Sequence, residues 1–165
     1  NITPIALPTA ATPFPTGIFY KPENPYLIWQ QAQTFDQPVA SYVTSLAISP
    51  VDPILAVGNS AKTILLWDTN TFTVRNTLEG LTNVQSLAFS PDGALLASGG
   101  TDGTIRLWEM PAGLLLQVLD EHQKAITGLD FSPNGEILAA VSGVELGLWQ
   151  VSGGNQIAVY NRHYR

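Results

Sequence analysis

Three stretches of this 165-residue chain are copies of one unit. They are LAISPVDPILAVGNSAKTILLW (Leu46 to Trp67), LAFSPDGALLASGGTDGTIRLW (Leu87 to Trp108) and LDFSPNGEILAAVSGVELGLW (Leu129 to Trp149). The closing tryptophans Trp67, Trp108 and Trp149 are evenly spaced, and the Ser-Pro pairs at Ser49, Ser90 and Ser132 keep nearly the same interval. A fixed period of roughly forty positions marks a repeat architecture, in which no unit buries its apolar surface alone and neighbouring units must stack.

Each unit reads as four short strands separated by turns. In the middle unit the first strand is Val84–Phe89, with apolar residues in alternation. Ser90-Pro91-Asp92-Gly93 follows, with Pro and Gly placed as a type I turn wants them. The second strand is Leu95–Ser98, and Thr101-Asp102-Gly103 is a tight Asp-Gly turn. The third strand is Thr104–Trp108, Pro111-Ala112-Gly113 turns the chain again, and Leu115–Leu119 is the fourth strand. The glycine pairs Gly99-Gly100 and Gly153-Gly154 are assigned to hairpin turns. No segment sustains a helical period, so the fold class is all-β. The repeats divide into three whole sheets, at about 43–78, 84–119 and 126–161. Radial stacking of such sheets gives a propeller.

Residues 1–38 differ from residues 39–165. Six of the twelve prolines fall between Asn1 and Pro25, which favours an extended, Pro-rich N-terminal arm. Leu27-Ile28-Trp29-Gln30 resembles Leu65-Leu66-Trp67-Asp68, so the same region also reads as a degenerate first blade. Its register is slipped, because Trp29 stands closer to Trp67 than Trp67 does to Trp108. Both readings stand.

The repeats resemble the WD-repeat family of β-propellers over roughly three-quarters of the chain. The middle unit carries the resemblance best, through Phe89-Ser90-Pro91-Asp92-Gly93, Leu96-Ala97-Ser98-Gly99 and Asp102-Gly103-Thr104-Ile105-Arg106-Leu107-Trp108. The Trp-Asp pair survives once, at Trp67-Asp68, and becomes Trp108-Glu109 and Trp149-Gln150. The resemblance implies a polar network inside each blade, whose members here are Ser98, Asp102, Trp108, His122, Trp149, Trp67 and Asp68. No unit holds a complete set. Histidine is missing around Gly80-Leu81, Ala61 stands where Asp is expected, and the second hairpin of the last unit is one residue shorter (Ser142-Gly143-Val144-Glu145). The blades are therefore expected to rely on apolar stacking, with Asp102 bonding within its own turn. Three clear blades plus a degenerate fourth leave either a four-bladed ring or an open array that another chain completes.

Chemistry is sparse. There is no cysteine, and His122 and His163 are the only histidines, which argues against a zinc site. No nucleophile elbow, phosphate loop or His-Glu-x-x-His motif occurs. Seven scattered basic residues and a net charge of −6 leave no basic face for nucleic acid. No run of eighteen apolar residues provides a transmembrane segment. Asp130 replaces Ala47 and Ala88 on the innermost strand and is placed facing a central channel. A non-enzymatic scaffold for protein–protein interaction, with no cofactor, is the function the resemblance implies. The loops 59–62, 79–83, 100–103, 120–124 and 142–145 gather on one face and supply the candidate partner-binding residues Lys62, Glu79, Asp102, Asp120, Glu121, Lys124 and Glu145. That set predicts a mildly basic or neutral partner, with copies of the chain itself among the candidates. A structural subunit of a larger secreted or membrane-associated assembly, and a sensor fragment of a longer signalling protein, are the alternatives. Charged residues make up only 12% of the chain, which favours an extracytoplasmic or cell-surface setting.

Overall fold

A computed structural model describes residues 41–79, 82–119 and 122–161. The readings of residues 1–38, including Trp29, lie outside the described residues. Twelve strands follow one another: β1 (Val43–Ile48), β2 (Ile54–Asn59), β3 (Ile64–Asp68), β4 (Thr73–Leu78), β5 (Val84–Phe89), β6 (Leu95–Gly100), β7 (Ile105–Glu109), β8 (Leu114–Leu119), β9 (Gly128–Phe131), β10 (Ile137–Ser142), β11 (Glu145–Gln150) and β12 (Asn155–Asn161). They form three antiparallel four-stranded sheets, β1–β4, β5–β8 and β9–β12, each paired in sequence order. These are the three propeller blades the repeat predicts. Among the described residues no helix is present, and none is long and apolar enough to cross a membrane.

Serine sets the first hairpin of each blade. Ser90 and Ser132 accept a backbone hydrogen bond from Leu95 and Ile137 on their hydroxyls, at 2.9 and 3.0 Å. The Gly93 and Gly135 amides donate back to the carbonyls of Ser90 and Ser132, at 2.9 and 2.8 Å, closing the turns. Gly93 and Gly135 have positive φ (71° and 73°), a conformation that costs glycine least. Ser49 does related work in the first blade, accepting from the Asp52 amide at 3.1 Å.

Alternation along the strands gives every blade two faces. At the two junctions between described blades, the trailing face of one blade meets the leading face of the next. Trailing residues Ile54, Ala56, Ile64, Leu66 and Leu78 of the first blade meet Val84, Leu87, Leu96 and Trp108 from the leading face of the second. Ala97, Ile105, Leu107 and Leu119 meet Ile126, Phe131, Leu138, Ala140 and Trp149 in the same way. The core therefore lies between the sheets, as stacking requires.

A knob and a socket fix the spacing of the blades. Val84 presses on Gly58, where a Cβ would stand 2.6 Å from Val84 Cγ1. Ile126 presses on Gly99, where a Cβ would overlap the isoleucine's Cγ2. Gly99 and Gly100 are thus the end of strand β6 and not a turn, a correction to the sequence reading. Glycine is present at position 99 because the next blade's knob takes the space of a side chain.

Candidate functional site

The turns β2–β3, β6–β7 and β10–β11 and the connections entering β5 and β9 lie at one end of the blades. Each blade ties its entry to its own turn. Ser60 N–H donates to the Tyr42 carbonyl at 3.0 Å, and Thr101 N–H to the Asn83 carbonyl at 3.1 Å. In the third blade the Ser142 hydroxyl donates to the Lys124 carbonyl at 2.7 Å. Neighbouring blades join as well. Ile126 N–H donates to the Gly100 carbonyl at 3.0 Å, and Gly103 sits so close to the His122 and Lys124 carbonyls that a side chain there would meet backbone. These bonds fix each blade's turn to its own entry and tie the loops of the second and third blades together.

In the second blade the Trp108 indole N–H donates to the Ser98 hydroxyl at 2.8 Å, a fully buried bond. Asp102 does not extend that network inward. Its carboxylate accepts from Thr104 N–H (3.1 Å), from the Thr104 hydroxyl (2.8 Å) and from the Arg106 guanidinium (3.1 Å). Partial burial pushes its pKa up, but the Thr104 and Arg106 hydrogen bonds outweigh this and hold it below the usual carboxylate range. Asp68 is likewise spent locally. It accepts from Asn70 and Thr71 N–H (2.7 and 2.9 Å) and pairs with Arg75 at 2.7 Å. The Thr71 and Asn70 amides, ahead of Arg75, lower its pKa. The neighbouring Trp67 is buried with Val57 and Leu65.

The third blade uses other groups. His122 is buried, as the resemblance implies, and its ring meets Trp149 edge-on with centroids 5.0 Å apart. Its Nδ1 lies 3.3 Å from Glu145 Oε2. The shortened hairpin makes this possible. Gly143 takes φ 63° at the first of two turn residues, so Glu145 opens β11 directly beside the histidine. The sequence reading, which expects an aspartate, misses the Glu145–His122 pairing. Its signal is a glutamate immediately after a shortened turn. Ala140 occupies the place of Ser98, and the Trp149 indole N–H makes no hydrogen bond among the described residues. Gly147 replaces Arg106, and the Trp149 ring lies against it.

The candidate partner-binding residues therefore separate. Asp102 is exposed but paired with Arg106, and the half-buried Glu145 faces His122. Lys62, Glu79 and Lys124 are exposed and enter no ion pair among the described residues. Lys62 holds a positive φ of 67°, where the equivalent second-blade residue is Gly103. Asp120 and Glu121 lie outside the described residues. Asp130 requires correction. It pairs with Ala139 on the trailing face of the third blade and, with Gly128, Leu129, Ala139 and Val141, lines a shallow hollow there instead of a central channel. Ala47 and Ala88, its equivalents, pack into the cores between blades. No group of three or more His, Asp or Glu among the described residues is placed to hold a metal ion.

Similar proteins place this architecture. The pattern of the WD domain, G-beta repeat, matches residues 29–68, 72–109 and 113–143. Among curated proteins no sequence matches. Two solved structures superpose well. One is titled "Structure of U3-55K" (TM-score 0.73) and the other "Crystal structure of RRP9 WD40 repeats" (TM-score 0.74). Each is 22% identical, and the alignment covers 77% of this chain and 41% of the other. The matched region thus spans less than half the length of either neighbour. With more than half of its residues matched by the repeat pattern and three blades in order, the chain belongs to the WD-repeat family.

Proposed function

We propose that the chain is a protein-interaction scaffold whose contact surface is the rim formed by the turns at Ser60–Thr63, Thr101–Thr104 and Ser142–Glu145. A WD-repeat propeller is typical of such scaffolds. The observation that supports the rim is its rigidity. Hydrogen bonds within and between blades fix the loops, so little ordering entropy remains to be lost on binding. Among the described residues the rim charges without an ion pair are Lys62, Lys124 and Glu79, while Asp102 is paired with Arg106 and Glu145 faces His122. The partner is accordingly a protein surface near neutrality, read more by hydrogen bonding and shape than by net charge.

The test is capture from an extract of the native source with three immobilised forms, followed by mass spectrometry. Lys62→Glu/Lys124→Glu should lose proteins that the wild type and a control at the opposite end, Glu136→Lys, both retain. Equal capture by all three forms would remove the rim from the reading. A second reading, a structural subunit, is supported by apolar side chains exposed at both ends of the stack, among them Leu46, Ile48 and Tyr160. Light scattering that grows with concentration would favour it over a discrete adaptor.

A further inference from the structure

The two junctions between described blades share three devices, and the trailing face of the third blade lacks all three. The first device is the socket. Gly58 and Gly99 receive Val84 and Ile126, but the equivalent position of the third blade is Val141, whose own side chain fills the space and is 40% exposed. The second is the small residue beside it. Ala47 and Ala88 pack into the junctions, whereas Asp130 stands in their place and is exposed. Covering that carboxylate with an apolar blade would strip its water without a partner. The third is an amide on the outer strand. Asn76 Nδ2 donates to the Ala112 carbonyl in the turn of the next blade at 3.1 Å, and the Gln117 side chain lies close against Gly154 in the corresponding turn of the third blade. The third blade has Ala158 there, paired with Leu148 as Asn76 is with Leu66 and Gln117 with Leu107.

The opposite end of the stack retains its device. Val43 is the knob of the first blade, equivalent to Val84 and Ile126, and it is 50% exposed where they are fully buried. Leu46 and Ile48 beside it are open too. A chain with a free knob at one end and a free socket at the other would stack copy upon copy, because a head-to-tail contact repeats without limit unless it closes. We propose that Val141, Asp130 and Ala158 form a stop that keeps copies of this chain from stacking head to tail through the Val43 knob.

Sedimentation velocity over a hundredfold concentration range tests the stop, on the full chain. The variant Asp130→Ala/Val141→Gly/Ala158→Gln restores all three devices. It should form species larger than the wild type, and adding Val43→Asp should return it to the wild-type distribution. The proposal is overturned if the triple variant sediments as the wild type does, or if its larger species survive Val43→Asp. It is overturned equally if the wild type already forms oligomers that Val43→Asp dissolves. An independent measurement covers the case of a triple variant that does not fold. Gly99→Val places the same plug in an internal socket, and the cooperative melt by circular dichroism should be lost or fall steeply. A Gly99→Val melt equal to wild type would mean that valine is compatible with a knob, and the stop would fail.

Discussion

The second and third blades are built from the same four strands and the same Ser-Pro turn, yet they hold their central tryptophans differently. In the second, Trp108 is anchored by a hydrogen bond to Ser98, and the polar groups around it are satisfied in pairs. In the third, alanine and glycine replace Ser98 and Arg106, and Trp149 is held by packing against Gly147 and by the edge of His122. One unit fixes the ring by direction and the other by shape. The two rings are similarly buried, but the exchange of Ser98 for Ala140 leaves the Trp149 indole N–H without a hydrogen-bond partner among the described residues, so complementary volume has to offset an unsatisfied donor.

The largest effect that bears on the comparison concerns the junctions. Ile126→Ala empties the Gly99 socket in the core shared by the two blades, and should cost about 2–4 kcal/mol in urea unfolding, within the range for buried aliphatic truncations. Val43→Ala removes a chemically similar knob that faces no described blade, and should cost less than about 0.5 kcal/mol. Equal costs would break the idea that burial at the junction gives the knob its value. A smaller effect separates the tryptophans. Trp108→Phe and Trp149→Phe create similar cavities, but only the former also gives up a buried hydrogen bond. Trp108→Phe should be the more destabilising by about 1 kcal/mol. A Trp149→Phe cost equal to or larger than that of Trp108→Phe would mean that direction contributes nothing beyond shape.

Much of this is legible in the residues themselves. The period of the tryptophans and of the Ser-Pro pairs locates three sheets whose ends fall within about two residues of the observed strands, because turn chemistry and alternation are local properties. The inward tryptophans and the buried His122 follow from their place in the repeat. What escapes is set across the sheets. Gly99 reads as a turn residue because the sequence cannot display Ile126, on a different blade, pressing on it. Asp130 reads as a channel residue because strand alternation gives two faces without saying which neighbour each one meets. Glu145 becomes a partner for His122 only through the geometry of a hairpin one residue shorter than its equivalents. At the rim, the loops are visible in the sequence, but not the pairing of Asp102 with Arg106 and of Glu145 with His122.

Acid gives the mildest test of the comparison and works on carboxylates that the third blade lacks. Asp68, Asp92 and Asp102 belong to the first two blades, and all three have pKa values held below the usual range. For Asp92 the Ser90 hydroxyl, donating at 2.6 Å, is the main cause, followed by the Ala94 amide at 3.1 Å. A carboxyl whose folded pKa is depressed stabilises the fold above its unfolded pKa, near about 3.9, and that contribution disappears as pH falls through the folded value. The third blade makes the corresponding turn with Asn134, which accepts from the Glu136 amide at 3.2 Å and does not titrate. The drop in melting temperature between pH 6 and pH 3 should therefore shrink in Asp92→Asn and grow in Asn134→Asp. Both changes will be small, because the groups are exposed to water and screened by salt. Opposite signs in the two variants are the decisive observation. If both variants move the same way, the carboxylate in the first hairpin is not what distinguishes the second blade from the third in acid.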